Sequence, residues 1–305
     1  MTWFFVRRLL GLVVTLWVVF TVSFLLMLAV PGGPYSAERN LPPELEANFK
    51  HRYRTDLPWY EQYTFDLSRD LTGDLGMSSR LQDFSVNQVI KEGLPISASL
   101  GIFALFFAIV LGLSAGIVSA LYRGSIADFS LMSLATVGIA IPSFVVAGLA
   151  IMLFVFVIPI FPAAGWGTLR QLVLPSLCLG LAYAAEIARI TRTGMLDALS
   201  QDYVRTARAK GLSEFMVAIR HALPTALLPV VSYLGPAVAG ILTGSVVIEK
   251  IFAIPGLGWH FVQAALQRDL TLAMGLVLLY TVLLYTMNFI VDLSYGILDP
   301  RVELK

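Results

Sequence analysis

The chain has 305 residues, of which 57% are hydrophobic and only 13% charged. Soluble domains carry about 25% charged residues, so the shortfall excludes an ordinary soluble protein and specifies an integral membrane one. A formal net charge of +1 gives no reason to expect nucleic acid as a partner, and one cysteine, Cys178, excludes an intramolecular disulfide and any multi-cysteine metal site.

Met1 to Arg8 is a short amphipathic start carrying Arg7 and Arg8, and Leu9 to Val30 is an uncharged apolar run long enough to cross a ~30 Å hydrocarbon core. A cleaved signal peptide is the competing reading. Its apolar region runs about 7–15 residues, and Pro31-Gly32-Gly33 makes a poor cleavage site, so a retained transmembrane helix is predicted. Residues 31–93 are the one large polar block. Pro42-Pro43-Glu44 starts a helix predicted over Glu44 to Tyr53. Pro58 to Leu71 repeats the pattern with Trp59, Tyr60, Tyr63, Phe65 and Leu67; Gly73-Asp74-Leu75-Gly76 turns; Ser85 to Glu92 is a third short helix. The block is too aromatic for a disordered linker and is predicted to be an extracytoplasmic helical subdomain. Docking of a soluble partner and simple shielding of the first two helices are both open.

Leu94 to Leu121 is the second span, where Gly112 and Gly116 admit the close approach of another backbone. Arg123 to Asp128 is a hydrophilic turn. Phe129 to Ile158 is the third span, broken near Gly138 and Pro142. A carbonyl freed there is tolerated only against protein or a water-filled cavity, so Pro142 and Ser143 either line a pathway or merely kink the helix. A connection with Trp166, suited to an interface belt, leads to the fourth span, Gln171 to Leu199. There Glu186 precedes Arg189 by one turn, favouring a local ion pair over a proton-relay carboxylate. Arg189 and Arg192 share a face from which both can snorkel to one interface. Cys178 reads as a small buried hydrophobe.

Leu223 to Val247 is the fifth span, with a pathway or kink candidate at Gly235-Pro236 and a close-packing pair at Gly240 and Gly244. Glu249-Lys250 and Ile254-Pro255-Gly256-Leu257-Gly258 then return the chain to water, and Trp259, His260 and Phe261 open a short amphipathic piece. Leu270 to Ile297 holds the sixth span, Asp292 having a capping or interfacial role, and Asp299-Pro300-Arg301 ends in water. Short loops carrying Arg7, Arg8, Arg123, Arg189, Arg192, Arg205, Arg208, Lys210, Arg220 and Arg301 fall on one side, which the positive-inside rule assigns to the cytoplasm together with both termini.

Between the fourth and fifth spans lies a basic, helix-prone stretch, Asp202 to Gly211, continued through Arg220-His221-Ala222-Leu223-Pro224. Arg208 and Lys210 fall in the last turn of a short helix, where cations meet the negative end of its dipole. Gly211 is placed to turn left-handed, and Ser213 to cap a second short helix with Glu214 in its first turn. Val217, Ile219 and Leu223 carry apolar surface, and Pro224 resets the backbone. Two short helices joined by a glycine make a compact hook that offers itself to a partner.

Three function classes compete. An intramembrane enzyme needs Ser and His on neighbouring spans or clustered metal ligands, whereas His51, His221 and His260 sit at polar or interfacial positions and no H-E-x-x-H occurs. A self-contained secondary transporter needs intramembrane charge or paired broken helices, of which the sequence carries little. No nucleotide-binding G-x-x-x-x-G-K-[ST] is present, so nucleotide energy would have to come from another chain.

The third class rests on the hook. Tyr203 to Pro229, with Ala207, Gly211, His221-Ala222-Leu223-Pro224 and Pro229, resembles the cytoplasmic "EAA" signature of ABC-importer permeases, and Gly211 and Pro224 keep that family's spacing. Arg205-Thr206-Ala207 stands where many members have Glu-Ala-Ala; the string Arg-Thr-Ala-Arg-Ala-Lys-Gly resembles the branch importing peptides or nickel. Leu41-Pro42-Pro43-Glu44, Gly73-Asp74-Leu75-Gly76, Ile141-Pro142-Ser143-Phe144, Ala188-Arg189-Ile190-Thr191-Arg192, Glu249 through Gly258 and Asp299-Pro300-Arg301 are similar to the oligopeptide-permease B subunits.

The resemblance implies an all-α, six-helix type I importer permease: an N-terminal helix over 1–30, an extracytoplasmic subdomain over 31–93 and a permease core over 94–305 in a bacterial inner membrane. It implies an ATPase-coupling site at Tyr203, Arg205, Thr206, Ala207, Arg208, Lys210, Gly211, His221, Leu223 and Pro224, and binding-protein docking at Trp59, Tyr60, Pro255, Gly256 and Trp259. The implied partners are a homologous second permease, suggested too by the glycine faces of spans two and five, two ATPase subunits that bind the ATP and Mg, an extracytoplasmic peptide-binding protein, and membrane lipid. This chain would hold no cofactor or metal itself. Nickel or another peptide-like solute is the alternative cargo.

Overall fold

A computed structural model describes residues 2–29, 57–81 and 84–298. The helix expected over Glu44 to Tyr53 and the Asp299-Pro300-Arg301 terminus lie outside the described residues. Within them the chain is helical, with one isolated antiparallel bridge between Met77 and Ser85. The helices are α1 (Thr2–Ala29), α2 (Trp59–Leu71), α3 (Val86–Leu121), α4 (Ile126–Ala140), α5 (Ser143–Ile151), α6 (Leu169–Leu199), α7 (Asp202–Ala209), α8 (Glu214–Val217), α9 (Leu223–Ile251), α10 (Leu257–Gln267) and α11 (Leu270–Leu298). π-helical turns extend α5 through Met152–Val157 and join α8 to α9 through Ala218–Ala222.

Among the described residues, five helices are long and apolar enough to cross a membrane, and α4 with α5 makes a sixth candidate. That last pair is bent by 109°. The bend falls at Ile141-Pro142, where the ring fixes φ at −58° and Pro142 becomes the N-cap of α5. The third span is therefore broken into two helices that meet at a corner, with the break at the Pro142 end of the Gly138–Pro142 stretch where the sequence placed it. Four other prolines, Pro95, Pro175, Pro229 and Pro236, lie inside helices that run on unbroken. Pro95 sits inside α3, so the short helix expected before Leu94 and the second span are one continuous helix. Pro236 sits inside α9, and Gly235-Pro236 makes no break there.

The described chain divides into two compact units, one drawn from Met1–Pro95 and Trp259–Tyr285, the other from Ile96–Gly258 and Thr286 onward. These boundaries differ from the predicted 1–30, 31–93 and 94–305, because α10 and the first half of α11 pack with the N-terminal elements. In the first unit, Phe20, Phe24 and Met274 form a small core against Tyr63 and Leu67 of α2, and the Tyr63 and Thr21 hydroxyls share a 2.9 Å hydrogen bond. Asp269, 1% exposed, ties the segment after α2 in place: it accepts from Ser78 Oγ, from Ser79 N at 3.2 Å and from Leu272 N at 3.2 Å, capping α11 as it does so.

The second unit is built around α6, of whose apolar window 61% is buried, against 11% for α1. Glycines explain how close its neighbours come. A methyl group on Gly112 would lie 2.7 Å from the Ala184 carbonyl oxygen, on Gly116 2.6 Å from that of Ala188, and on Gly240 2.5 Å from the Tyr183 hydroxyl. Gly112 and Gly116 of span two and Gly240 of span five are thus spent on α6 within this chain. These three glycines are not a surface for a second permease, which corrects that part of the expectation.

Candidate functional site

Helix α7 is short, so its position depends on tertiary packing more than on propensity. Val204 and Ala207 turn inward and pack with Val217 of α8 and with Leu199 at the end of α6. The opposite face, Tyr203, Arg205, Thr206, Arg208 and Lys210, is exposed. Tyr203 OH donates to Thr225 Oγ1 of α9 at 3.3 Å, which ties the hook to that helix as well.

The turn between α7 and α8 closes in a Schellman motif. Gly211 N bonds Arg208 O at 2.9 Å and Leu212 N bonds Ala207 O at 3.4 Å, with Gly211 at φ +80°. Ser213 Oγ then accepts from Met216 N at 3.4 Å and starts α8. Arg208 spans the turn and donates to both oxygens of Glu214, Nε to Oε1 at 2.8 Å and Nη2 to Oε2 at 3.1 Å. This carboxylate holds the Arg208 guanidinium above its ordinary range. Arg205 pairs with Asp202 at 3.3 Å, a contact left largely to water. The three hook cations therefore meet two carboxylates of their own, and Lys210, exposed at the C-cap, makes no ion pair among the described residues.

The second half of the hook differs from expectation. Helix α8 runs on through the π turn into α9, and Pro224 enters α9 at a first-turn position where its missing N–H costs little. It does not reset the backbone. His221 is half-buried in the π turn, and Leu223 packs on the cluster of Met195, Ala198, Ala218, Ala222 and Ala226. The hook is thus continuous with the fifth span.

At the same end of α6, Arg192 does not snorkel. Its Nε and Nη2 reach Asp128 Oδ1 at 2.7 Å and Oδ2 at 2.9 Å, while Ser119 Oγ and Gly124 N, the latter at 2.9 Å, complete the carboxylate's bonds. Asp128 is 6% exposed, a buried charge paired on every side. It lines a cleft of about 670 Å³ with Phe129, Met132, Thr136 and Arg192. Sequence reasoning took Asp128 for part of a hydrophilic turn; its partner stands on another helix. Glu186 and Arg189 do form the expected local pair, at 2.6 Å.

The stretch from Glu249 to Gly258 also departs from expectation. Glu249 is fully buried within α9, not returned to water. Ser97 Oγ donates to its Oε1 at 2.7 Å and accepts from Leu257 N at 2.8 Å, tying α3, α9 and the start of α10 together. Gly256 is buried beside them, since a methyl group there would lie 2.5 Å from both Glu249 Oε2 and Ser97 Oγ. It is a packing glycine, and as a docking residue it is corrected; Pro255 is exposed. Trp166, partly buried, packs against the neighbouring core cluster. In the other unit, Trp59 and Tyr60 are 56% and 54% exposed and meet edge to face at 5.9 Å, and Trp259 is half-buried. Burial lowers His260 and lifts the Asp70 carboxyl to about 6. Pro142, Ser143, Gly235 and Pro236 are spread over two helices, Gly235 buried and Pro142 exposed. No group of three His, Cys, Asp or Glu among the described residues could hold a metal ion.

The family described as "Binding-protein-dependent transport system inner membrane component" matches residues 108–304. The oligopeptide transport system permease protein OppB of Escherichia coli (strain K12) is 45% identical over 302 residues, covering 98% of this chain and 99% of that protein. The dipeptide transport system permease protein DppB of Bacillus subtilis (strain 168) is 44% identical over 301 residues, covering 99% and 98%. Among solved structures, an inward-facing form of the MetNI methionine ABC transporter aligns with a TM-score of 0.60 at 19% identity, covering 73% of this chain and 100% of that one, and an amino acid ABC transporter crystallised with histidines aligns with a TM-score of 0.54 at 18% identity, covering 69% and 94%.

Proposed function

The chain belongs to the inner membrane components of binding-protein-dependent transport systems, and from that premise we propose that it forms half of the translocation pathway for oligopeptides and is worked from the cytoplasm through the Tyr203–Gly211 hook. It is a multi-pass permease component of an ABC peptide importer, with the type I importer fold. The observation that carries the oligopeptide reading is the likeness to OppB along nearly the whole of both chains.

The rest of the assembly follows as proposal. A second, homologous permease closes the pathway, two ATPase subunits bind the ATP and Mg, and an extracytoplasmic peptide-binding protein delivers cargo. Both termini and the hook face the cytoplasm, in keeping with the short basic loops and with six crossings when α4 and α5 count as one. The hook suits a lever. Its exposed face carries Tyr203, Arg205, Thr206 and Lys210, its buried face is fixed to α6 and α8, and α8 runs without a break into α9. A push on α7 therefore reaches a transmembrane helix directly. Trp59, Tyr60, Pro255 and Trp259 are the proposed contacts of the binding protein. Loaded binding protein and ATP shift the two-state pathway only by favouring one state over the other.

Co-purification tests the reading. A stable complex with a second permease and two ATPases, reconstituted with its binding protein and importing peptide on ATP, is the expected result. Uptake by the purified chain alone, driven by a proton gradient, would make it a secondary carrier.

A further inference from the structure

One feature of α6 serves neither the hook nor the core. From Ala182 onward, Ala182, Glu186, Arg189, Thr193, Asp197 and Ser200 recur at the spacing that puts them on one face of a helix. Arg189, Thr193, Asp197 and Ser200 are exposed and Glu186 is partly so. Nearer the start of α6 the same face carries Pro175, Cys178 and Leu179, all buried; Cys178 and Leu179 lie in a core completed by Ala147, Ile241 and Ile248. One face of the most enclosed span is thus sealed in its first half and open and polar in its second.

Depth makes this unusual. Helix α6 has 31 residues, about 45 Å at 1.5 Å per residue, so Arg189, about 30 Å along it, falls within a ~30 Å hydrocarbon layer centred on the helix. A charged side chain at that depth faces protein or a water-filled space, not lipid. The Arg189 side chain is 65% exposed and that of Glu186 21%. The carboxylate is turned in and the guanidinium out. One charge-assisted bond, Nη2 to Glu186 Oε1 at 2.6 Å, uses part of the guanidinium's donor set, and the planar fork retains N–H groups for a second carboxylate. Two turns further on, about 12 Å along the axis, stands the exposed Asp197.

We infer that the second half of α6 lines the aqueous route of the permease and is a way-station for zwitterionic peptides, Arg189 taking the free C-terminal carboxylate and Asp197 the terminal ammonium. An extended peptide advances about 3.3–3.6 Å per residue, so a separation of about 12 Å suits the two ends of a chain of three to four residues. This rests on the peptide-importer reading and adds a ligand class and named contacts to it.

The test uses the reconstituted complex with its binding protein. In a Cys178→Ala background, Thr193→Cys is expected to react with a membrane-impermeant thiol reagent, and Ala188→Cys, on the buried side of α6, to stay unreactive. An unreactive Thr193→Cys would mean that the partner permease covers this face, and the inference fails. In uptake, the ratio of a free tripeptide to its C-amidated form is read, so that preferences of the binding protein cancel between variants. Arg189→Gln is expected to lower that ratio about tenfold, the scale of one lost charge-assisted bond, and Arg189→Lys to restore part of it. An unchanged ratio overturns the carboxylate role. A wild-type complex that imports no peptide overturns the peptide-importer reading instead, and the thiol experiment still decides whether the face is wet.

Discussion

Arg208 and Glu214 clamp the turn at Gly211, one guanidinium donating to both oxygens of one carboxylate at 2.8 and 3.1 Å across the joint between α7 and α8. The clamp and the Schellman bonds act on the same joint, the first by charge and the second by backbone. Gly211 carries the stricter demand, because φ +80° is a conformation that L side chains adopt at a cost of about 1–2 kcal/mol. Gly211→Ala is expected to lower ATP-driven peptide uptake while the chain still inserts and assembles, as read by uptake and co-purification from one preparation. Glu214→Gln should cost less, because the pair is open to water and screened.

Lys210 is the hook cation with no carboxylate of its own among the described residues. Lys210→Glu is therefore expected to weaken the proposed ATPase contact more than Arg208→Gln does. The checks are the salt concentration at which the ATPases dissociate from the purified complex and the rate of peptide uptake. A complex that keeps its salt tolerance in Lys210→Glu would remove Lys210 from the contact.

Glu249 and Ser97 set a second expectation. The pocket around them has no room for a methyl group on Gly256, so Gly256→Ala should destabilise the unit by about 1–3 kcal/mol through overpacking. Ser97→Ala removes the donor to Glu249 and the acceptor for Leu257 N together, and is expected to cost a similar amount, about 1–3 kcal/mol. Thermal unfolding in detergent reads both.

Arg192 and Asp128 join α6 to α4, a link between two helices of the bent third span's neighbourhood. Removing Arg192 leaves the Asp128 carboxylate buried without its ion pair, while removing the Asp128 charge leaves a guanidinium that is only partly buried. Arg192→Gln and Asp128→Asn should each lower Tm, and the double variant by less than the sum. Additive losses would show the pair to be uncoupled.

Asp70 supplies the pH dependence. Its Oδ2 is buried without a hydrogen bond, and burial raises the carboxyl from 3.8 to about 6 against the opposing pull of Arg69. A raised carboxyl binds its proton more tightly folded than unfolded, so between those two values the folded state holds more protons and gains stability as pH falls. Helix α2 should be protected more strongly in Asp70→Asn than in wild type at pH 7, with the difference closing towards pH 5. Hydrogen exchange over Trp59–Leu71, compared at equal pH so that intrinsic rates cancel, checks this.

Much of the molecule was legible because its signals are local. Apolar runs located the spans, a glycine placed between Lys210 and Ser213 located the hook's joint, and the Glu186–Arg189 pair follows from helical spacing alone. Ser213 as a cap and Gly211 as a left-handed turn needed only nearest neighbours in the chain. What went astray was long-range. Arg192 had no visible partner, because Asp128 lies on another helix; Glu249 read as polar and wet, because Ser97 and Gly256 converge on it only once the helices pack.

The amino-acid order by itself therefore determined the class of molecule, where it turns polar, the ends of its helices and the family resemblance, since each of these is written in residues within a few turns of one another. Only the tertiary structure decided which charges are buried together, that Gly112, Gly116 and Gly240 close on α6, that the third span turns a corner of 109°, and that one face of α6 is sealed at one end and open at the other. Those depend on which surfaces meet across the chain, and a side chain carries no local mark of the distant partner it will find.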